Sequence, residues 1–140
     1  MVVSALPLEV EDFLLWLTSE RGRTPHTLVS YRRDLLRYVN FLQRCEETIH
    51  NVDDDRITSF VRAREAEGAA ASSVARNLAA VRMFHRFLVS EGIRSDDPTG
   101  RLDGVKVPSG IPKPLDEDSV VQLIESCSGG DPLSRRDRAI

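Results

Sequence analysis

Cysteine is scarce: Cys45 and Cys127 stand far apart in 140 residues, and neither belongs to a CxxC pair. A disulfide framework and a thiolate zinc site do not fit that usage. His26, His50 and His85 share no metal-ligand spacing, and no glycine-rich phosphate loop occurs, so neither metal nor cofactor is expected. No apolar run approaches the roughly eighteen residues that a membrane-spanning helix needs. The start, MVVSALPLEVED, lacks a basic stretch followed by an apolar one, so no export signal is read there. A soluble, cytoplasmic chain is the expectation. Strand-like alternation is also missing, which points to an all-α fold.

What is present is enough to build a core. Hydrophobic residues make up 41% and charged residues 29%, suiting one compact domain, or one domain and part of another. The formal net charge of -3 conceals a segregation. From Arg21 to Arg44 there are six arginines against Asp34 alone, and from Ala71 to Arg94 four arginines against Glu91. Glu9 to Glu20 carries four acids and no base, and Glu46 to Asp55 five acids and no base. Two cationic segments facing one polyanion would produce this pattern, and so would solvated helix faces.

Four helices follow from periodicity and punctuation. Pro7 opens the first, Val10, Phe13, Leu14 and Leu17 form its apolar stripe, and Gly22 closes it. Thr24 is a natural N-cap for the second, with Pro25 at the first helical position, and the helix runs to about Arg44. The third starts after Asp53-Asp54-Asp55, buries Ile57, Phe60 and Val61, and ends at Gly68. The fourth begins at Ser72 or Ser73 and reaches Gly92.

Beyond Gly92, prolines at 98, 108, 112 and 114 and glycines at 100, 104 and 110 interrupt any helix, so residues 94–114 read as a linker. Leu115 and Asp116 then fit a hydrophobic staple and N-cap for a new helix. Val120, Leu123 and Ile124 are its expected buried stripe, and Gly129-Gly130 its end. SRRDRAI has no stop signal, and the chain is expected to be part of a longer protein. The expected organisation is residues 1–93 as a helical domain, 94–114 as linker, and 115–140 as the start of a second domain.

At about 100° per residue, the second helix gathers Leu28, Tyr31, Leu35, Tyr38, Val39 and Leu42 on a core face. Ser30, Arg33, Arg37 and Arg44 fall opposite, a ridge suited to phosphates or a major groove. Arg32 projects into the apolar sector, where its stem packs and its guanidinium is expected to meet an acid or a carbonyl. The fourth helix buries Val74, Leu78, Val81, His85 and Leu88, with His85 read as a hydrogen-bonded core residue. Arg76 lies opposite, with Ser72, Ser73 and Ala80 beside it. Arg82 and Arg86 line one flank. Met83 and Phe87 also point outward, as in a helix wedged between two neighbours or covering a partner.

These residues carry a resemblance. TPHTLVSYRRDL at 24–35, SSVARNLAAVRMFHRFL at 72–88, DDP at 96–98 and IPKPLDEDSV at 111–120 together resemble the N-terminal region of tyrosine recombinases of the phage integrase family. The likeness is to the Xer group, with a DDP stretch and linker nearer its XerD than its XerC branch. It covers essentially the whole chain.

The resemblance implies a four-helix, SAM-like core-binding domain, a linker, and the first helix or helices of a catalytic domain that closes a clamp around duplex DNA. It places Thr27, Ser30 and Arg33 of one helix and Ser72, Ser73 and Arg76 of the other near DNA. Arg37 and Arg44 suit phosphate contacts, which position without specifying. Recombinases of this type attack a DNA phosphate with a tyrosine and need neither ATP nor metal, because the covalent link conserves the phosphodiester energy. Their catalytic residues belong to the C-terminal domain, so none is mapped here, and the chain alone is expected to be inactive and monomeric. Tyr31 and Tyr38, on a buried face, are not the nucleophile. The implied role is chromosome dimer resolution at a dif-like site beside a second Xer-type recombinase. The alternatives are a mobile-element integrase or a noncatalytic helical adaptor.

Overall fold

The computed structural model describes residues 6–19, 22–108 and 117–126, and every described regular element is a helix. They are α1 (Leu8–Ser19), α2 (Pro25–Arg44), α3 (Asp54–Ala66), α4 (Ala71–Ser90) and α5 (Glu117–Ser126). The chain divides into two compact units, Met1–Pro108 and Ser109–Ile140.

Local chemistry accounts for each start. The Pro7 carbonyl accepts the Val10 and Glu11 N–H groups at 3.0 and 3.4 Å, which begins α1. Thr24 is extended, its hydroxyl accepts the Thr27 N–H at 3.3 Å, and Pro25 follows at a position where no donor is required. Asp53 caps α3 through Oδ1, which accepts the Arg56 N–H at 2.8 Å, and Asp54 and Asp55 lie in the first turn. Gly22, Gly68 and Gly92 all have positive φ, so the chain leaves α1, α3 and α4 through turns that L side chains resist. The turn after α2 achieves the same with Glu46, at φ 58°.

The start of α4 differs from expectation. Its cap is Ala70, which offers no side-chain hydrogen bond, and Ser72 and Ser73 sit inside the first turn. Ser73 and Val74 already donate to the Ala70 carbonyl at 2.9 and 3.0 Å. Three consecutive alanines let the helix begin earlier than the serines would place it.

Helix α4 is the hub, packing against α1, α2 and α3. Its wedged position explains the outward apolar residues. Phe87 is buried against Phe13 and Trp16 at ring separations of 5.4 and 5.5 Å, and the Tyr31 hydroxyl meets Met83 Sδ at 3.6 Å. Phe13 also packs edge-on to Tyr31 and Phe84. Ala80, expected beside Arg76 on the outer side, is buried, because α2 covers that flank.

The expected linker is partly structured. Arg94, Pro98 and Thr99 are buried, Leu102 and Val105 pack against the helical core, and the first unit runs to Pro108. Two hydrogen-bonding devices hold this stretch. Arg94 donates to the carbonyls of Ile49 at 2.8 Å and Val52 at 3.1 Å and to Asp96 at 2.9 Å, while Arg82 Nη2 donates to the Leu102 carbonyl. Proline and glycine exclude helix there without excluding packing.

In the second unit, α5 forms where the periodicity put it, but Val120 and Ile124 are exposed instead of forming a buried stripe. A helix of ten residues has no core of its own, and its apolar face needs a neighbour to cover it. The expected Leu115–Asp116 staple and the SRRDRAI turn lie outside the described residues.

Candidate nucleic-acid interface

The outer row of α2 places Ser30, Arg33, Arg37 and Arg44 at spacings of three, four and seven residues, which share one helix face. Arg33 and Arg44 are exposed and have no ion pair among the described residues. On α4, Ser72 and Ser73 precede Arg76 by four and three residues and lie on its face. Ser72 and Arg76 are exposed and Ser73 is half-buried.

The two helices join these residues through Asp34. Its carboxylate, 1% exposed, accepts from Arg76 Nε at 2.9 Å and Nη2 at 3.3 Å, and from Arg37 Nη1 at 3.5 Å. A buried carboxylate is stable only when paired, so this contact fixes how α2 and α4 meet. Thr27 and Ser30 of α2 and Arg76 and Ala79 of α4 line a groove of about 280 Å³ above it. A second groove, about 620 Å³, runs between α2 and α3, lined by Arg37, Asn40, Arg44 and Arg64 over Phe41 and Phe60.

Thr27, Ser30 and Arg76 thus converge on one groove, Arg37 and Arg44 on the other, and Arg33 lines neither. Two hydroxyls are partly committed: Thr27 Oγ1 shares a 2.9 Å hydrogen bond with Thr24 Oγ1, and Ser30 Oγ donates to the His26 carbonyl at 3.2 Å. Each keeps hydrogen-bonding capacity for a partner.

The cationic segments are smaller than the arginine count implies. Arg32 forms a two-pronged pair with Glu11 at 2.7 and 2.6 Å, meeting the acid expected of it, and this pairing holds the Glu11 carboxyl below the usual range. Arg94 is buried and Arg82 is spent on a carbonyl. Arg33, Arg37 and Arg44 on α2, with Arg76 and Arg86 on α4, remain to face solvent. Asp34 and Arg64 were missed in the sequence. Asp34 was legible, being three residues after Tyr31 and four before Tyr38, hence on the core arc where an acid demands a partner. Arg64 gave no signal, since its pairing with Asn77 Oδ1 at 3.1 Å and with Glu67 depends on how α3 meets α4.

Both tyrosines are engaged inside the helical unit. Tyr38 is fully buried, shares a 2.8 Å hydrogen bond with His85 Nε2, and has its phenol pushed up by burial. Tyr31 is half-buried on Met83. Guanidinium and hydroxyl donors on two helices, with no nucleophile beside a base on this surface among the described residues, have the chemistry that suits an extended acceptor-rich partner.

A model of the phage integrase N-terminal SAM-like domain matches residues 10–92, which include all of α2, α3 and α4. The chain belongs to this family. As an integrase-type SAM-like domain, it is similar to "Tyrosine recombinase XerD" of Rhizobium meliloti, 40% identical over 127 residues, covering 87% of this chain and 41% of the relative. It is also similar to "Tyrosine recombinase XerC" of Pseudomonas savastanoi pv. phaseolicola, 36% identical over 132 residues, covering 94% of this chain and 44% of the relative. "Tyrosine recombinase XerD" of Listeria monocytogenes serotype 4b is 34% identical over 133 residues, covering 94% and 45%. The chain therefore spans less than half the length of these recombinases, and its likeness extends to both Xer branches.

Proposed function

We propose that the helical unit is the DNA-binding, core-binding domain of a site-specific tyrosine recombinase of the Xer group. The observation that carries this reading is the meeting of α2 and α4 at Asp34, which sets the Ser30–Arg33–Arg37–Arg44 row beside the Ser72–Ser73–Arg76 face. At 1.5 Å per residue, Arg33 and Arg44 are separated by about 16 Å along α2, so three guanidiniums can follow a duplex backbone. Helix α4 starts without a side-chain cap, and its first N–H groups are donors available to a phosphate. Small side chains at 72, 73 and 79 allow close approach.

In the full-length protein this domain would be one arm of a clamp, and the segment from about residue 115 the beginning of the catalytic arm, with residues 94–114 joining them. The reaction would be strand exchange through a phosphotyrosyl link, performed by residues of the catalytic arm. The substrate class would be a chromosomal dif-like site in the cytoplasm, and the partner a second Xer-type recombinase. The XerD branch is our preferred assignment, on the DDP stretch.

The test is duplex binding by fluorescence anisotropy across a salt series. Three phosphate-contacting arginines predict log K falling with log salt at a slope of about −2.7. Binding indifferent to salt, or none at 50 mM salt or below, would sink the reading.

A further inference from the structure

Arg76 is held unlike the other exposed arginines. Asp34, buried beneath it, engages the side edge of the guanidinium, Nε at 2.9 Å and Nη2 at 3.3 Å, while Arg76 itself stays half exposed at 48%. That leaves the end edge, the two N–H groups of Nη1 and the second of Nη2, without an intramolecular acceptor among the described residues. The groove beside it is lined by the small side chains of Thr27, Ser30 and Ala79 together with His26 and Tyr31.

We infer that Asp34 is a positioning residue that makes Arg76 a reader of a base edge, the O6/N7 pair of guanine, and not a phosphate clamp; this rests on the DNA-binding reading above. Two physical points carry it. A phosphate is attracted by net charge, and the Asp34 carboxylate, which Arg37 also reaches at 3.5 Å, offsets much of that of Arg76, whereas Arg33 and Arg44 have no such partner among the described residues. What the pair retains is direction: a planar fork, pinned on one edge and open on the other, which matches two neutral acceptors in one plane. Pinning also removes rotamer freedom that a flexible arginine would lose on binding, so discrimination between bases improves. Arg37, 3.5 Å from the same carboxylate, is too loosely held to be fixed in this way.

A library of duplexes with a randomised core, selected with the chain and its variants, tests the assignment. Wild type is expected to enrich a G·C pair at one position. Asp34→Asn and Arg76→Lys should each lower the preference at that position about tenfold while preferences elsewhere persist; Arg33→Ala should weaken all sequences alike. Arg76→Lys keeps the charge at a half-exposed site, so it reports on the fork even if Asp34→Asn fails to fold. Unchanged preference in Arg76→Lys overturns the inference, as does wild-type binding without any base preference. Failure of wild type to capture any duplex overturns the DNA-binding reading, and this inference with it.

Discussion

The hydroxyl of Tyr38 on α2 lies 2.8 Å from Nε2 of His85 on α4, and both side chains are fully buried. His85 Nδ1 has no partner among the described residues. Burial, reinforced by the Arg94 charge, pushes the imidazole down to about 4. The neutral ring is therefore part of the folded state, and protonation opposes it.

Between about pH 6.5 and 4 the unfolded chain takes up a proton that the folded one does not, so stability is complete above the unfolded value and falls as pH drops through that window. The full loss is roughly 3 kcal/mol. Denaturant midpoints measured from pH 7.5 to 4 should fall accordingly, and Tyr38→Phe should keep most of the slope because burial is the main cause. A flat profile over this range would contradict the assignment.

Arg94 should matter more to stability than any exposed arginine. Arg94→Ala strips donors from the carbonyls of Ile49 and Val52, on the connection from α2 to α3. Buried acceptors left unpaired cost about 1–3 kcal/mol each, so a loss near 3 kcal/mol is expected by thermal or denaturant unfolding. A loss below about 0.5 kcal/mol would mean that water replaces the guanidinium.

The Arg32–Glu11 pair joins α2 to α1 with good geometry, but its side chains are 50% and 38% exposed. A solvent-screened pair of this kind contributes about 0.2–1 kcal/mol. A double-mutant cycle with Arg32→Ala and Glu11→Ala should return a coupling in that range, smaller at 1 M salt. Coupling above about 2 kcal/mol would show that the pair is shielded from solvent.

Arg76→Ala is expected to lose DNA affinity and also about 1–3 kcal/mol of stability, since among the described residues it leaves the buried Asp34 with only Arg37 at 3.5 Å. On the sequence alone, the same change would be expected to spare the fold. Chemical denaturation of Arg76→Ala beside Arg33→Ala separates the two expectations: the Arg33 variant should unfold at the wild-type midpoint.

The sequence by itself determined the helices and most of the inner faces of α1, α2 and α4. Thr24-Pro25, the Asp53 cap and the glycines at 22, 68 and 92 act within a few residues, and the apolar stripes of α1, α2 and α4 repeat at the helical period. It also determined the outer row of α2, because residues three, four and seven apart must share a face. Only the tertiary structure decided what each charge does. Arg32, Arg33, Arg76 and Arg94 are chemically alike, yet one braces α1, one faces solvent, one is pinned by Asp34 and one, on the chain after α4, is buried against the carbonyls of the α2–α3 connection. Periodicity describes one helix at a time, while a guanidinium's role depends on which carboxylate or carbonyl another helix brings within about 3 Å.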